Sequence, residues 1–156
     1  MSPNLQADAA DQGTIASLLL SFDGRISRLP FWIVIIGFGG LSFVVEPIIK
    51  RHLGEIASII FALILLYPML AAAAKRAHDR GRSEMTLLAV LIPALAISAL
   101  QLAGHLDPKG TMAWIMGGLG LWLVAAMIWM LIDLGLLRGD LGANRFGADP
   151  LSAKPR

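Results

Sequence analysis

Residues 55–74 read EIASIIFALILLYPMLAAAA. After Glu55 nothing in the stretch is charged. A helix of about 20 apolar residues rises about 30 Å, the thickness of a bilayer's hydrocarbon core. Three further runs are at least as long: Pro30–Ile49, Met85–Gly104 and Met112–Leu137. Apolar stretches of about 10–14 residues would be ambiguous between a buried core helix and a membrane segment; these are longer. Composition agrees, with 56% hydrophobic and 15% charged residues against about 25% charged in soluble domains. Mean hydropathy is +0.71. The connections His52–Gly54, Lys75–Glu84 and His105–Thr111 are short, so consecutive helices should be antiparallel neighbours. The expected fold is an all-α membrane protein, an up-down four-helix transmembrane bundle formed by residues 15–150, with polar tails at 1–14 and 151–156. No motif repeats between the halves, which argues against an inverted-repeat transporter. The absence of cysteine excludes disulfides, thiolate metal sites and thiol catalysis.

Basic residues set the threading. Arg25 and Arg28 precede the first run; Lys75, Arg76, Arg80 and Arg82 follow the second; Arg138, Arg145, Lys154 and Arg156 follow the fourth. Lys50, Arg51 and Lys109 are the only basic residues at the other helix ends. Lys and Arg near span ends stay cytoplasmic, so both termini are expected inside. Met1–Ala16 holds no Lys or Arg and does not read as a secretory signal. Ile15, Leu18, Leu19 and Phe22 recur at helical spacing, which suggests a short helix on the membrane surface or an extension of the first span. Asp23-Gly24 favours a break between the two. Pro30 suits the first turn of its helix, and Phe31-Trp32 suits the headgroup boundary. Tyr67-Pro68 and Pro93 should kink their spans. Gly37, Gly39, Gly40, Gly117, Gly118 and Gly120 permit close helix approach.

Three polar clusters fall at the same set of helix ends. They are Phe22-Asp23-Gly24-Arg25-Ile26-Ser27-Arg28, Lys75-Arg76-Ala77-His78-Asp79-Arg80-Gly81-Arg82-Ser83, and Gly139 to Pro150. Phe22, Gly24, Arg25, Arg28 and Trp32 form a Phe-x-Gly-Arg-x-x-Arg-x-x-x-Trp pattern. Lys75, Arg76, His78, Asp79, Gly81 and Ser83 form a basic-basic-x-His-Asp-x-Gly-x-Ser pattern. Gly142, Asn144, Phe146, Gly147, Asp149 and Pro150 form a Gly-x-Asn-x-Phe-Gly-x-Asp-Pro tail. In this order around four spans, the motifs resemble those of domain of unknown function family 805, small bacterial inner-membrane proteins. The resemblance covers roughly Leu20–Pro150 and implies a multi-pass inner-membrane setting; it names no activity. One departure is Glu84-Met85, where the family pattern often continues Gly-Trp.

The clusters suggest chemistry of limited scope. Arg and Lys at a cytoplasmic face attract anionic lipid, about 1 kcal/mol each, and an Arg fork grips phosphate. Arg25, Arg28, Lys75, Arg76, His78, Asp79, Arg80, Arg82, Asn144 and Arg145 are the candidate lipid or partner site; the competing reading is topology and structural pairing alone. Asp79 should pair with a neighbouring Arg or hold the His78 ring. Gly142, Asn144, Gly147 and Pro150 suggest a tight turn under which Phe146 could tuck. Three histidines split between the two faces do not make a metallohydrolase centre. His52, His105, Glu46, Glu55 and Asp107 could meet at the outer face around a metal, and the tail has neither an EF-hand nor a P-loop pattern. Asp133 lies inside the fourth run, where a charge needs a partner or water; Lys75 or Arg76 is expected within reach. It reads as an interhelical lock or as an ion site. The leading expectation is a non-enzymatic membrane protein whose basic cytoplasmic cap binds anionic headgroups or a protein partner, with a homo-oligomer also open. A small transporter or channel subunit using Asp133 comes second and an interfacial enzyme third. No cofactor is implied, and low net charge with no known module argues against nucleic acid.

Overall fold

The computed structural model describes residues 14–102 and 110–152. The polar tail to Gly13, and His105, Asp107 and Lys109 of the third connection, lie outside the described residues. Thr14 opens a short helix, α1 (Ile15–Leu20), by accepting the Ser17 N–H on Oγ1 at 3.1 Å. The chain turns at Gly24, whose φ is 90°, and enters α2 (Arg28–Leu53). The break expected at Asp23-Gly24 is therefore present, and α1 is not an extension of α2. Gly54, with φ 90°, alone separates α2 from α3 (Glu55–Asp79). One residue between two helices of 26 and 25 residues folds them into an antiparallel hairpin.

The basic segment after the second apolar run is helix, not loop. Ala71–Ala74 and Ala77 are strong helix formers around Lys75-Arg76, so α3 continues through His78 and Asp79. It ends in a Schellman motif: Arg82 N–H donates to Ala77 O at 2.9 Å, and Gly81 N–H to His78 O at 3.0 Å. Gly81 supplies the required positive φ, 66°. A 3₁₀ turn, Glu84–Leu87, leads into α4 (Leu88–Leu102), and α5 (Thr111–Met130) ends in a π-helical turn, Leu131–Leu136. Pro68 and Pro93 lie within continuous helices.

Three helical stretches, Arg28–Leu53, Glu55–Asp79 and Thr111–Leu136, are long and apolar enough to cross a membrane; Glu84–Leu100 is apolar but shorter. Packing is concentrated within two pairs, α2 with α3 and α4 with α5. The pairs meet chiefly through the 3₁₀ and π turns, so among the described residues the helices form two hairpins joined at one end rather than one evenly packed bundle. Lipid is as apolar as Leu and gives the middle stretches no hydrophobic reason to close on each other. Phe43 and Trp114 are each 83% exposed, surface that lipid would cover. The buried core, Ile26, Phe31, Val34, Ala72–Ala74, Ala77, Leu87 and Leu134, sits at the joined end. There α1 lies along α3: Tyr67 Oη donates to Leu20 O at 2.8 Å, and Lys75 Nζ donates to Ser17 O.

Candidate functional site

Helix ends leave carbonyls without intrahelical donors, and the negative end of the macrodipole favours cations there. At the end of α5 five consecutive carbonyls are each met by a side chain from elsewhere. Arg76 Nε donates to Leu134 O (2.7 Å), Trp32 Nε1 to Gly135 O (3.1 Å) and Arg28 Nη1 to Leu136 O (3.0 Å). Arg76 Nη2 donates to Leu137 O and Arg80 Nη1 to Arg138 O, each at 2.5 Å. The widened π turn presents these groups towards α2 and α3. Gly135 allows the approach, since a Cβ there would come within 2.5 Å of the Trp32 ring.

Beneath this ladder Asp79, 3% exposed, joins Arg25 and Arg76, 6% and 1% exposed. Arg25 Nε and Nη2 donate to Asp79 Oδ1 at 3.1 and 2.9 Å, and Arg76 Nη1 donates to Oδ2. Arg25 also donates to the carbonyls of Asp140 (2.7 Å), Gly142 (2.7 Å) and Gly147 (3.3 Å). All five guanidinium N–H groups thus have acceptors. The Asp140 N–H returns to Asp79 O at 2.7 Å. Gly139 runs so close to the Asp79 carboxylate that a Cβ would overlap it. Burial of such charges is costly unless each is paired and hydrogen-bonded, and these are.

Asp133, 3% exposed, faces Arg80 Nη2 at 3.2 Å and Arg82 Nε at 3.0 Å. Its ion-pair partners are these two arginines, because the α3 turn carries Arg80 and Arg82 back over the π turn; of the two residues expected within reach, Arg76 lies within electrostatic range of Asp133. Arg76 is taken up by carbonyls one turn lower, and Lys75 points to α1. The Arg82 guanidinium also lies over the Trp129 ring, 5.3 Å from its centroid.

His78 Nδ1 lies 3.1 Å from Gly24 O and Nε2 lies 3.0 Å from Glu84 Oε2. Both acceptors are satisfied together when the ring carries two protons. Phe146 stacks flat on His78, 4.0 Å between centroids, and Arg145 covers Phe146 at 4.6 Å. Asn144 Nδ2 donates to His78 O at 2.9 Å, while its Oδ1 accepts the Phe146 N–H at 2.9 Å. The tail is thus the expected tight turn, and Asp149 closes it. Hydrogen bonds from the Leu151 N–H, then from the Gly142 N–H, hold the Asp149 carboxyl below its ordinary range.

Every candidate residue lies at this one end. Arg25, Arg76, His78 and Asp79 form its interior, while Arg28, Arg80, Arg82, Asn144 and Arg145 lie around them; Lys75 anchors α1. Outside the site candidates lie Trp32, Trp129 and Glu84 as side-chain partners, Gly135 and Gly139 as close approaches, and Arg138. Trp32 is legible as part of the first motif and Arg138 as a basic residue after the fourth run; the others carry no local signal. A notch of about 240 Å³ opens between Arg28 and Arg138. Among the described residues no three His, Asp or Glu side chains group to hold a metal; His105 and Asp107 of the outer-face metal reading lie outside them.

The Uncharacterized protein YiiR of Escherichia coli strain K12 is 37% identical over 144 residues, covering 90% of this chain and 93% of the relative. The protein of the same name from Escherichia coli O157:H7 matches to the same extent. No solved structure matches. The model of a family described as Protein of unknown function (DUF805) matches residues 19–148, a region that takes in the cap from Phe22 to Phe146, and the chain belongs to that family.

Proposed function

We propose that this is a non-enzymatic, multi-pass protein of the bacterial inner membrane, with both termini cytoplasmic and a cap at that face that engages anionic lipid headgroups. One observation carries the reading. The cap's cations divide into an inner set, Arg25, Arg76 and Arg80, each held by internal acceptors, and an outer set, Arg28, Arg82, Arg138 and Arg145, at the rim. Arg28, Arg138 and Arg145 are exposed, and Arg82 is half-buried. Exposed Leu29, Leu136 and Leu137 stand beside the rim, the juxtaposition of charge and apolar surface found at a headgroup boundary. The inner arginines need no lipid for neutralisation, because Asp79, Asp133 and the carbonyls of residues 134–138 already serve them. Asp133, ion-paired twice, is better suited to a lock than to a conduction path.

The test replaces the rim. The wild type, a variant with all four rim arginines changed to Gln, and a Lys50→Gln/Arg51→Gln variant are extracted with native lipid for mass spectrometry. Each rim arginine contributes about 1 kcal/mol near an anionic surface, so the rim variant should lose most co-purified anionic lipid. The Lys50/Arg51 variant should retain it; Lys50 already pairs with Glu55 at 2.7 Å. Equal retention in all three would refute the reading.

A further inference from the structure

We infer that the notch between Arg28 and Arg138 is a seat for the phosphate of a single phospholipid, an assignment that rests on the proposed lipid-facing cap. The cavity, about 240 Å³, is lined on its polar side by Ser27, Arg28, Arg76 and Arg138 together with Asp79, Asp140 and Asp149. At about 30 Å³ per water it holds a phosphate with its hydration. Two of its carboxylates are turned to internal donors, Asp79 to Arg25 and Arg76, and Asp149 to the N–H groups of Leu151 and Gly142, while exposed Asp140 accepts only a long contact, 3.4 Å, from Asn144. The arginines keep unspent N–H groups. Arg138 makes no side-chain hydrogen bond among the described residues, and Arg28 spends only Nη1, on Leu136 O. Arg76, 1% exposed, donates three hydrogen bonds from five N–H groups. Ser27 makes no side-chain cap to α2, which leaves its hydroxyl and the Arg28 and Leu29 N–H groups available to an anion.

The rim argues for a lipid over a soluble phosphate. Leu29, Leu141 and Leu151 line the same notch and are 70%, 73% and 57% exposed. A polar floor with an apolar rim, where α2 starts its apolar course, matches a headgroup with its acyl chains leaving along Leu29. Two arginine forks and a hydroxyl converging from different segments are the donor set that oxygen-rich phosphate takes.

The full chain in a maltoside detergent, which holds no phosphorus, is titrated with dioctanoyl phosphatidic acid and separately with inorganic phosphate, followed by ³¹P NMR. The lipid should saturate at one per chain. Arg28→Gln and Arg138→Gln should each weaken it about tenfold, as expected for loss of a charge-assisted hydrogen bond. Lys50→Gln, at the opposite helix ends and already paired with Glu55, should change it less than about twofold. Failure of inorganic phosphate to displace the lipid supports the lipid seat; displacement at equal concentration overturns it in favour of a soluble phosphate. If Arg145→Gln, outside the notch, weakens the lipid as much as Arg138→Gln, the notch is refuted while a diffusely anion-attracting cap survives. No saturable lipid in the wild type also refutes the notch, and the co-purified lipid measurement then decides the cap separately.

Discussion

Asp79 is the residue on which the cap turns. It is one carboxylate between two arginines, all three buried, and its own main chain receives Asp140 from the tail. Removing one partner of a buried pair costs about 3–5 kcal/mol, because the other charge is stranded. Asp79→Ala should therefore lower the thermal midpoint in detergent steeply. Arg25→Ala on top should add much less than it costs alone, since Asp79→Ala has already uncoupled it. Additive losses would mean that the two groups act independently. Asp149 links the turn to pH. Its folded carboxyl is held below the unfolded value of about 3.9 by the Leu151 and Gly142 N–H groups. The ionised form thus stabilises the turn above that unfolded value, and the contribution is lost as pH falls through the folded value. The Gly142 amide resonance should move only in this acid window. A transition near neutrality, or the same transition in Asp149→Asn, would exclude the carboxyl as its origin.

At the scale of elements, the close approaches of two glycines decide whether the tail and π turn can dock. Gly135→Ala would press a methyl into Trp32, an overpacking that costs about 1–3 kcal/mol. Gly139→Ala would meet the Asp79 carboxylate and should be at least as harmful. Gly37→Ala and Gly118→Ala, with nothing within 4 Å, should leave the unfolding midpoint unchanged; a loss there equal to that of Gly135→Ala would contradict this packing. The apolar helices were legible because length and hydropathy are local properties, and so was α1, from the spacing of Ile15, Leu18 and Leu19. The helical state of Lys75–Asp79 was hidden by polarity: charge suggested a loop where alanine propensity decided for helix. The partners of Asp133 were hidden because a π turn leaves no periodic trace and because Gly81 redirects Arg82 backwards. The His78–Glu84 contact depends on the 3₁₀ turn, which no single residue announces.

For the whole molecule, two hairpins joined by a polar knot have a consequence for threading. Arg25, Asp79 and Asp140 touch one another, so the start of α2, the end of α3 and the chain after α5 share one side whatever the orientation. Orientation itself rests on the basic residues of that side. The cysteine-free sequence suits single-site labelling. Gly81 is a poor position, since its φ is 66° and a Cβ would sit 2.5 Å from Asp140 Oδ2. Asp23 and Ala143 are exposed at the cap, and Leu53 and Thr111 at the opposite helix ends. The most direct measurement is therefore the reaction of Asp23→Cys, Ala143→Cys, Leu53→Cys and Thr111→Cys with a membrane-impermeant thiol reagent in intact cells. The account predicts that Leu53→Cys and Thr111→Cys label while Asp23→Cys and Ala143→Cys label only after the membrane is opened; the reverse pattern, or labelling that splits Asp23→Cys from Ala143→Cys, would contradict a single cytoplasmic cap.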